Sequence, residues 1–244
     1  MPPRFFVDQP LQPGESFGLP AGAARHVQVL RLQPGAAIVL FDGAGGEWAA
    51  SVVQMGRSDV TVRLGAHAGV DRELPLPVTL ALGMPANERM DTVIEKATEL
   101  GASAIQPLLC ERSVLRLNGE RALKRHAHWQ AVAQAASEQS GRTRVPQVAP
   151  VRSLAQWLRE LPADGRARWV LSFGDARPLA TLTPPRAGLI SLSGPEGGLS
   201  PAEQVVARDA GFVPVSLGPR VLRADTAPLA LLAQVSIGQN EPPT

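Results

Sequence analysis

The sequence predicts an α/β protein in two parts, a small all-β domain over residues 1–70 and a larger α/β domain over residues 76–244. Three observations carry this expectation. Residues 1–65 hold short apolar runs separated by tight glycine turns. From Val78 onward, apolar runs alternate with stretches of helical period, the pattern of strands joined through helices. Two of those later runs, Leu189–Leu192 and Val213–Leu217, each end in a glycine-proline loop. Loops of this type turn sharply and approach a ligand closely, because glycine has no Cβ and proline donates no N–H. Ligands of open α/β sheets sit at the ends of such strands.

The elements follow in order. Phe5-Phe6-Val7 is a short strand, and Ala36–Phe41 is a second, introduced by Pro34-Gly35. Asp42-Gly43 begins a glycine-rich turn through Gly46, and Glu47–Val53 returns as the partner strand. Gly56-Arg57-Ser58-Asp59 makes another turn before the alternating strand Val60–Leu64. Between the first two strands, Ala23–Leu32 has the spacing of a short helix. Closely spaced strands with tight turns predict a compact barrel of a kind that often binds RNA. Ala66–Pro77, with Gly69, Pro75 and Pro77, reads as the linker.

In the second part, Val78–Leu82 is a buried strand, followed by a helix from about Glu88 to Leu100 that Gly101 terminates. Ala104–Leu109 is the next strand, Glu120–Ser137 a long helix, Ser153–Leu161 a shorter one, and Trp169–Phe173 a strand. After Leu189–Leu192, Ser200-Pro201-Ala202-Glu203 has the layout of a capping box with proline at the first helical position. Thr226–Ile237 is apolar nearly all round, which predicts a buried helix packed against a second subunit. Gln239–Thr244 is a short polar tail.

Composition narrows the function classes. Apolar residues make up 44% of 244, with no long uncharged apolar run, as expected of a globular protein outside the membrane. Met1–Asp8 lacks the basic-then-apolar layout of a signal peptide, so a cytoplasmic location is expected. The single cysteine, Cys110, excludes an internal disulfide and a cysteine-cluster metal site, and no metal is expected. The net charge is only +2, yet Lys96 and Lys124 are the sole lysines. Arginine's planar fork suits phosphate and bases, although codon bias alone would also enrich it.

Familiar nucleotide signatures are absent. Neither lysine follows a glycine, which removes the phosphate-cradling GxxxxGK[ST] loop. Gly194-Pro195-Glu196-Gly197-Gly198 lacks the GxGxxG spacing of dinucleotide folds. Gly83-Met84-Pro85 is too poor to serve as the glycine-spaced acidic loop of doubly wound methyltransferases.

The GPEGG loop gains meaning when paired with LGPRVLRADTA at Leu217–Ala227. Together they resemble the SPOUT methyltransferases, RNA-modifying enzymes with a trefoil knot, and within them the bacterial small-subunit rRNA uridine-N3 methyltransferases. HVQVLRL at His26–Leu32, LFDG at Leu40–Gly43, EKATELG at Glu95–Gly101 and EQSGRTRVP at Glu138–Pro146 match the same family in order. The resemblance covers nearly the whole chain. It implies a PUA-like β-barrel at the N-terminus, a SPOUT α/β domain with a C-terminal knot, and a homodimer acting on 16S rRNA of the small ribosomal subunit.

It also implies an S-adenosylmethionine pocket, formed here by Leu192, Ser193, Gly194, Pro195, Glu196, Gly198, Leu217, Gly218 and Leu222, and completed by Phe173 and Gly174. Arg220 and Arg223 flank Val221-Leu222 on the second loop, suited to holding a phosphate or a uracil oxygen, or else to ion pairs with Glu196 or Asp225. Glu138 and Asp225 are the candidate proton acceptors. The family usually has glutamate where this chain has Asp225, and the shorter side chain favours a helix-capping role.

From Glu111 to Arg144 seven basic residues stand against three acidic ones. Gln139, Arg142 and Arg144 from that stretch, with Arg4, Arg25, His26 and Arg31 from the barrel, form a candidate RNA-facing surface. Two other functions remain open on sequence alone: a non-catalytic RNA-binding or ribosome-assembly factor, and a SPOUT enzyme for another RNA base.

Overall fold

Apolar side chains at alternate positions give residues 4–68 one face to bury, and a mixed five-stranded sheet results. The computed structural model describes residues 2–86, 89–183, 185 and 187–237. The expected helix start at Glu88 and the polar tail at 239–244 lie outside the described residues. The chain divides into two units, Met1–Glu73 with Ser137–Val145, and Leu74–Ala136 with Pro146–Thr244.

In the first unit the elements are β1 (Arg4–Phe6), β2 (Ser16–Gly18), α1 (Ala21–Val29), β3 (Ala37–Phe41), β4 (Glu47–Met55) and β5 (Val60–Ala68). The sheet order is β1-β3-β4-β5-β2, with β1 parallel to β3 and the other neighbours antiparallel. Its core joins Phe5, Ile38, Leu40, Val52, Val60, Val62 and Leu64 with Val27 of α1. Register shifts between Trp48 and Ala50 and between Val52 and Gln54 mark bulges, which bend β4 and let a small sheet curl over its core. Strand β2, only three residues of serine, phenylalanine and glycine at the sheet edge, has no apolar alternation to announce it.

The second unit contains β6 (Val78–Gly83), α2 (Arg89–Glu99), β7 (Ala104–Leu109), α3 (Gly119–Ser140), β8 (Gln147–Val148), β9 (Arg152–Ser153), α4 (Leu154–Arg159), β10 (Ala167–Leu171), β11 (Arg177–Pro178), β12 (Leu189–Ser193), α5 (Pro201–Asp209), β13 (Val213–Ser216) and α6 (Thr226–Ile237). The last four residues of α3 group with the first unit. The strands form one parallel sheet in the order β11-β13-β10-β12-β6-β7-β8, with β9 beside β7.

Strand β12 is central, and all five of its residues are buried, as parallel strands covered on both faces require. Ile190 and Leu192 pack with Leu108, Trp157, Leu158, Leu199 and Phe212 in one core cluster. Burying each such side chain stabilises the fold by roughly 1.5–3 kcal/mol. Helix α2 buries Met90, Val93, Ile94 and Ala97, and ends where Gly101 turns at φ 94°. There the Gly101 N–H donates to Thr98 O and the Ala102 N–H to Ala97 O, a Schellman closure. A Cβ at position 101 would come within 2.7 Å of Leu74 Cγ.

Helix α5 starts with the capping box that Ser200 and Glu203 imply: Ser200 Oγ accepts from the Glu203 N–H, and Glu203 Oε2 accepts from the Ser200 N–H. Glu203 Oε1 also accepts from the Glu111 N–H at 2.8 Å, tying the loop after β7 to the start of α5.

Candidate functional site

Three neighbouring strands, β13, β10 and β12, all run out of the sheet at the same end, and the loops that follow them enclose a cavity of about 730 Å³ within the second unit. That size suits a nucleoside-sized ligand. Its wall takes Val170 to Gly174 from the end of β10 and just beyond, Ser193 from the end of β12, Gly194 to Glu196, Gly198 and Leu199 from the loop that follows, Pro214 and Val215 from β13, and Leu217 just after it. Arg220 to Ala224 and Ala227 close the other side, with Gln204 and Arg208 from α5 and Arg89 and Arg112 from elsewhere in the unit.

The first loop is held in place from both sides. Glu196 Oε1 accepts from the Ala86 N–H at 2.9 Å and lies 3.8 Å from Arg89 Nη1. Arg112 Nη1 donates to Gly197 O at 2.9 Å. The Gly198 N–H closes a turn onto Pro195 O. Gly194 is required by space: a Cβ there would stand 2.7 Å from Leu199 N and 2.8 Å from Gly198 C. Below the loop, Cys110 is a poor nucleophile, because burial and the nearby Glu203 charge push its thiol up to about 12. Ser193 lines the cavity with a buried hydroxyl that has no hydrogen-bond partner among the described residues. A buried polar atom left in this way marks a place where a ligand's donor or acceptor fits.

The second loop turns at Gly218, φ 109°, whose N–H donates to Ser216 Oγ at 3.2 Å. At its far end Asp225 Oδ1 accepts from the Thr226 N–H at 3.1 Å, at the start of α6.

Of the expected cofactor residues, Phe173, Gly174, Ser193, Gly194, Pro195, Glu196, Gly198, Leu217 and Leu222 line the cavity, as do Arg220 and Arg223. Leu192 packs instead into the core with Trp157 and Phe212, and Gly218 shapes the turn without lining the wall. Neither expected proton acceptor lines the cavity. Asp225 is engaged at the helix start, and Glu138 belongs to the first unit, where Oε1 accepts from the Phe6 N–H at 2.9 Å. Arg89, Arg112, Gln204 and Arg208 also line the wall, and no local pattern foretells them there. They come from α2, the loop after β7 and α5, with no motif joining these segments, and only the folded sheet gathers them.

The first unit shows where the expected RNA-facing residues fall. Arg25, His26 and Arg31 are exposed on and just after α1, and Gln139 and Arg144 are exposed around the end of α3. Glu138 Oε2 lies 3.6 Å from His26 Nδ1, and the His26 ring meets Phe5 edge-on. Arg4 and Arg142 are placed inside, at 9% and 4% exposure. Arg4 pairs with Glu47 and donates to Arg142 O at 2.9 Å, while Arg142 forks onto Glu73. A buried guanidinium must keep such partners, since a lone buried charge is strongly destabilising. Arg72 bridges Glu47 and Gly141 O, and with Arg4 it holds the Glu47 carboxyl below its ordinary 4.5. The EQSGR stretch is thereby tied to the linker and to the barrel strands that precede it by many residues.

Comparison with known proteins agrees with this arrangement. The RNA methyltransferase domain family matches residues 72–236, and the RNA methyltransferase PUA domain family matches residues 19–65. The ribosomal RNA small subunit methyltransferase E of Bacillus subtilis is 30% identical over 246 residues, covering 96% of this chain and 95% of the relative. The protein of that name from Synechocystis is 38% identical over 213 residues, 86% of this chain and 68% of the relative. A crystal structure of the Neisseria gonorrhoeae protein of the same name, bound to S-adenosyl methionine, aligns with a TM-score of 0.91 at 35% identity, covering 97% of this chain and 98% of the other. A Legionella pneumophila structure in complex with the same cofactor aligns at 0.93 and 32% identity, over 98% of each chain. With both domain families matched in order and these relatives aligned over most of their lengths, the chain belongs to the ribosomal RNA small subunit methyltransferase E family of RNA methyltransferases.

Proposed function

We propose that the protein uses S-adenosylmethionine to methylate N3 of a uridine in the 16S rRNA of the small ribosomal subunit. The observation that carries this reading is the cavity at the ends of β10, β12 and β13, walled by both glycine-proline loops. Its residues fit the cofactor. Gly194 and Gly198 keep the loop backbone open to a ligand, Ser193 offers an unsatisfied buried hydroxyl, and Val170, Leu199, Val215 and Leu222 supply an apolar slot. When bound, S-adenosylmethionine supplies an electrophilic methyl group on a sulfonium sulfur, which leaves as a neutral thioether.

The protein's own task is then to orient the uracil and to manage the N3 proton. Arg220 and Arg223, both on the cavity wall, stabilise the negative charge that develops on the uracil ring as that proton departs. Asp225 follows the cavity-lining Ala224 in the chain and is the carboxylate we assign to accept the proton in the second unit. Leu192 and Gly218 shape the slot from behind. Arg25, His26, Arg31, Gln139 and Arg144 grip the RNA from the first unit, and Arg4 and Arg142 hold that surface in shape.

The chain forms a homodimer in this reading, through α6. That helix packs on β6, β12 and α2, yet only Pro228, Leu231 and Leu232 are buried, and Ile237 is 72% exposed. The knot of the family and a cytoplasmic setting belong to the same reading, and no described helix is long and apolar enough to cross a membrane.

The test is to incubate the purified protein with small subunits lacking the modification and with radiolabelled donor, then to map the label by mass spectrometry. Label on N3 of one uridine is expected. Label on another base, or none with cofactor bound, overturns the assignment.

A further inference from the structure

The cavity wall carries more positive charge than a methyl transfer needs. Arg89, Arg112, Arg208, Arg220 and Arg223 line it against a single carboxylate, Glu196. Glu196 is shared with Arg89, and Arg112 is turned to a backbone carbonyl. Among the described residues, no carboxylate forms an ion pair with Arg208, Arg220 or Arg223. The apolar part of the same wall keeps the effective dielectric below that of water, so these charges are felt by whatever enters.

S-adenosylmethionine is itself a net cation, with a sulfonium and an ammonium against one carboxylate. Its demethylated product, S-adenosylhomocysteine, has lost the sulfonium charge and is net neutral. An arginine wall without a counter-anion therefore favours the product over the donor. RNA brings the missing anion, because each nucleotide carries a phosphate and arginine forks match phosphate oxygens.

We propose that Arg208, Arg220 and Arg223 form a phosphate subsite at the cavity, and that RNA seated there relieves the repulsion on the donor. Donor and RNA then tighten one another's binding, and by linkage the effect is reciprocal. The free protein holds the neutral product better than the cationic donor, and RNA reverses that preference at the moment the donor is needed. Arg208 is the informative member, since it is exposed on the last turn of α5 and has no part in the two loops. This inference rests on the cofactor reading above.

The experiment is calorimetric titration of the full chain with donor and with product, at about 0.05 M and about 0.5 M salt, where screening differs widely. Each titration is repeated with a saturating short uridine-containing oligonucleotide and with Arg208→Gln. At low salt the product is expected to bind roughly threefold to tenfold tighter than the donor, with the gap shrinking at high salt. The oligonucleotide is expected to tighten the donor and leave the product nearly unchanged. Arg208→Gln should narrow the gap without RNA and weaken the oligonucleotide. A gap that ignores salt, oligonucleotide and substitution overturns the subsite while leaving the cofactor reading intact. Failure of both donor and product to bind overturns both.

Discussion

Arg31 sits at φ 54°, the only described non-glycine residue with a positive φ. It follows α1 in a Schellman closure, with the Arg31 N–H on Gln28 O and the Leu32 N–H on Val27 O. Glycine is the usual residue there, and a side chain in the left-handed region costs about 1 kcal/mol or somewhat more. An exposed arginine at this turn therefore works against stability, which accords with a role on the RNA. Arg31→Gly is expected to raise the unfolding free energy by about 1 kcal/mol in denaturant titration while weakening RNA binding. Lower stability, or unaltered RNA affinity, would remove that role. The expectation from sequence treated Arg4, Arg31 and Arg142 alike, because charge and spacing say nothing of burial. Folding separates them: Arg4 and Arg142 find Glu47 and Glu73 inside, and Arg31 stays out. Sequence distance hid those partners, which lie 43 and 69 residues away.

Elements with strong local chemistry were legible before folding. The capping box of α5, the glycine stop of α2, the apolar run of β12 and the bounds of β7 and α6 all follow from residues within a turn or two of each other. The short strands β2, β8, β9 and β11 were not, since two or three residues carry no period and pair only because longer neighbours present an edge. For α6 the apolar pattern foretold complete burial, yet within one chain only part of the helix is covered. In the proposed homodimer a second copy would cover the remainder. The protein is expected to sediment at about twice its 25.8 kDa monomer mass, and Ile237→Asp, a surface change within one chain, to shift it toward monomer. A wild-type monomer at micromolar concentration would refute the α6 interface.

The candidate RNA-facing side chains and the cavity fall in different units of the chain. The first unit exposes Arg25, Arg31 and Arg144, and the second encloses the cavity. The paired glycine-proline loops announced the cavity from sequence, because glycine positions are dictated by local space. The arginines from α2, α5 and the loop after β7 became visible only when the parallel sheet brought its strand ends together. Gly194 is the position that isolates the cavity, since a side chain there meets the Leu199 and Gly198 backbone within the loop. Calorimetric titration of S-adenosylmethionine into the wild type and Gly194→Val, alongside RNA affinity for each, is the most direct test. Saturable one-site binding by the wild type is expected, abolished in Gly194→Val, with RNA affinity preserved. No binding by the wild type up to millimolar cofactor, or undiminished binding by Gly194→Val, would contradict a cofactor site in this cavity.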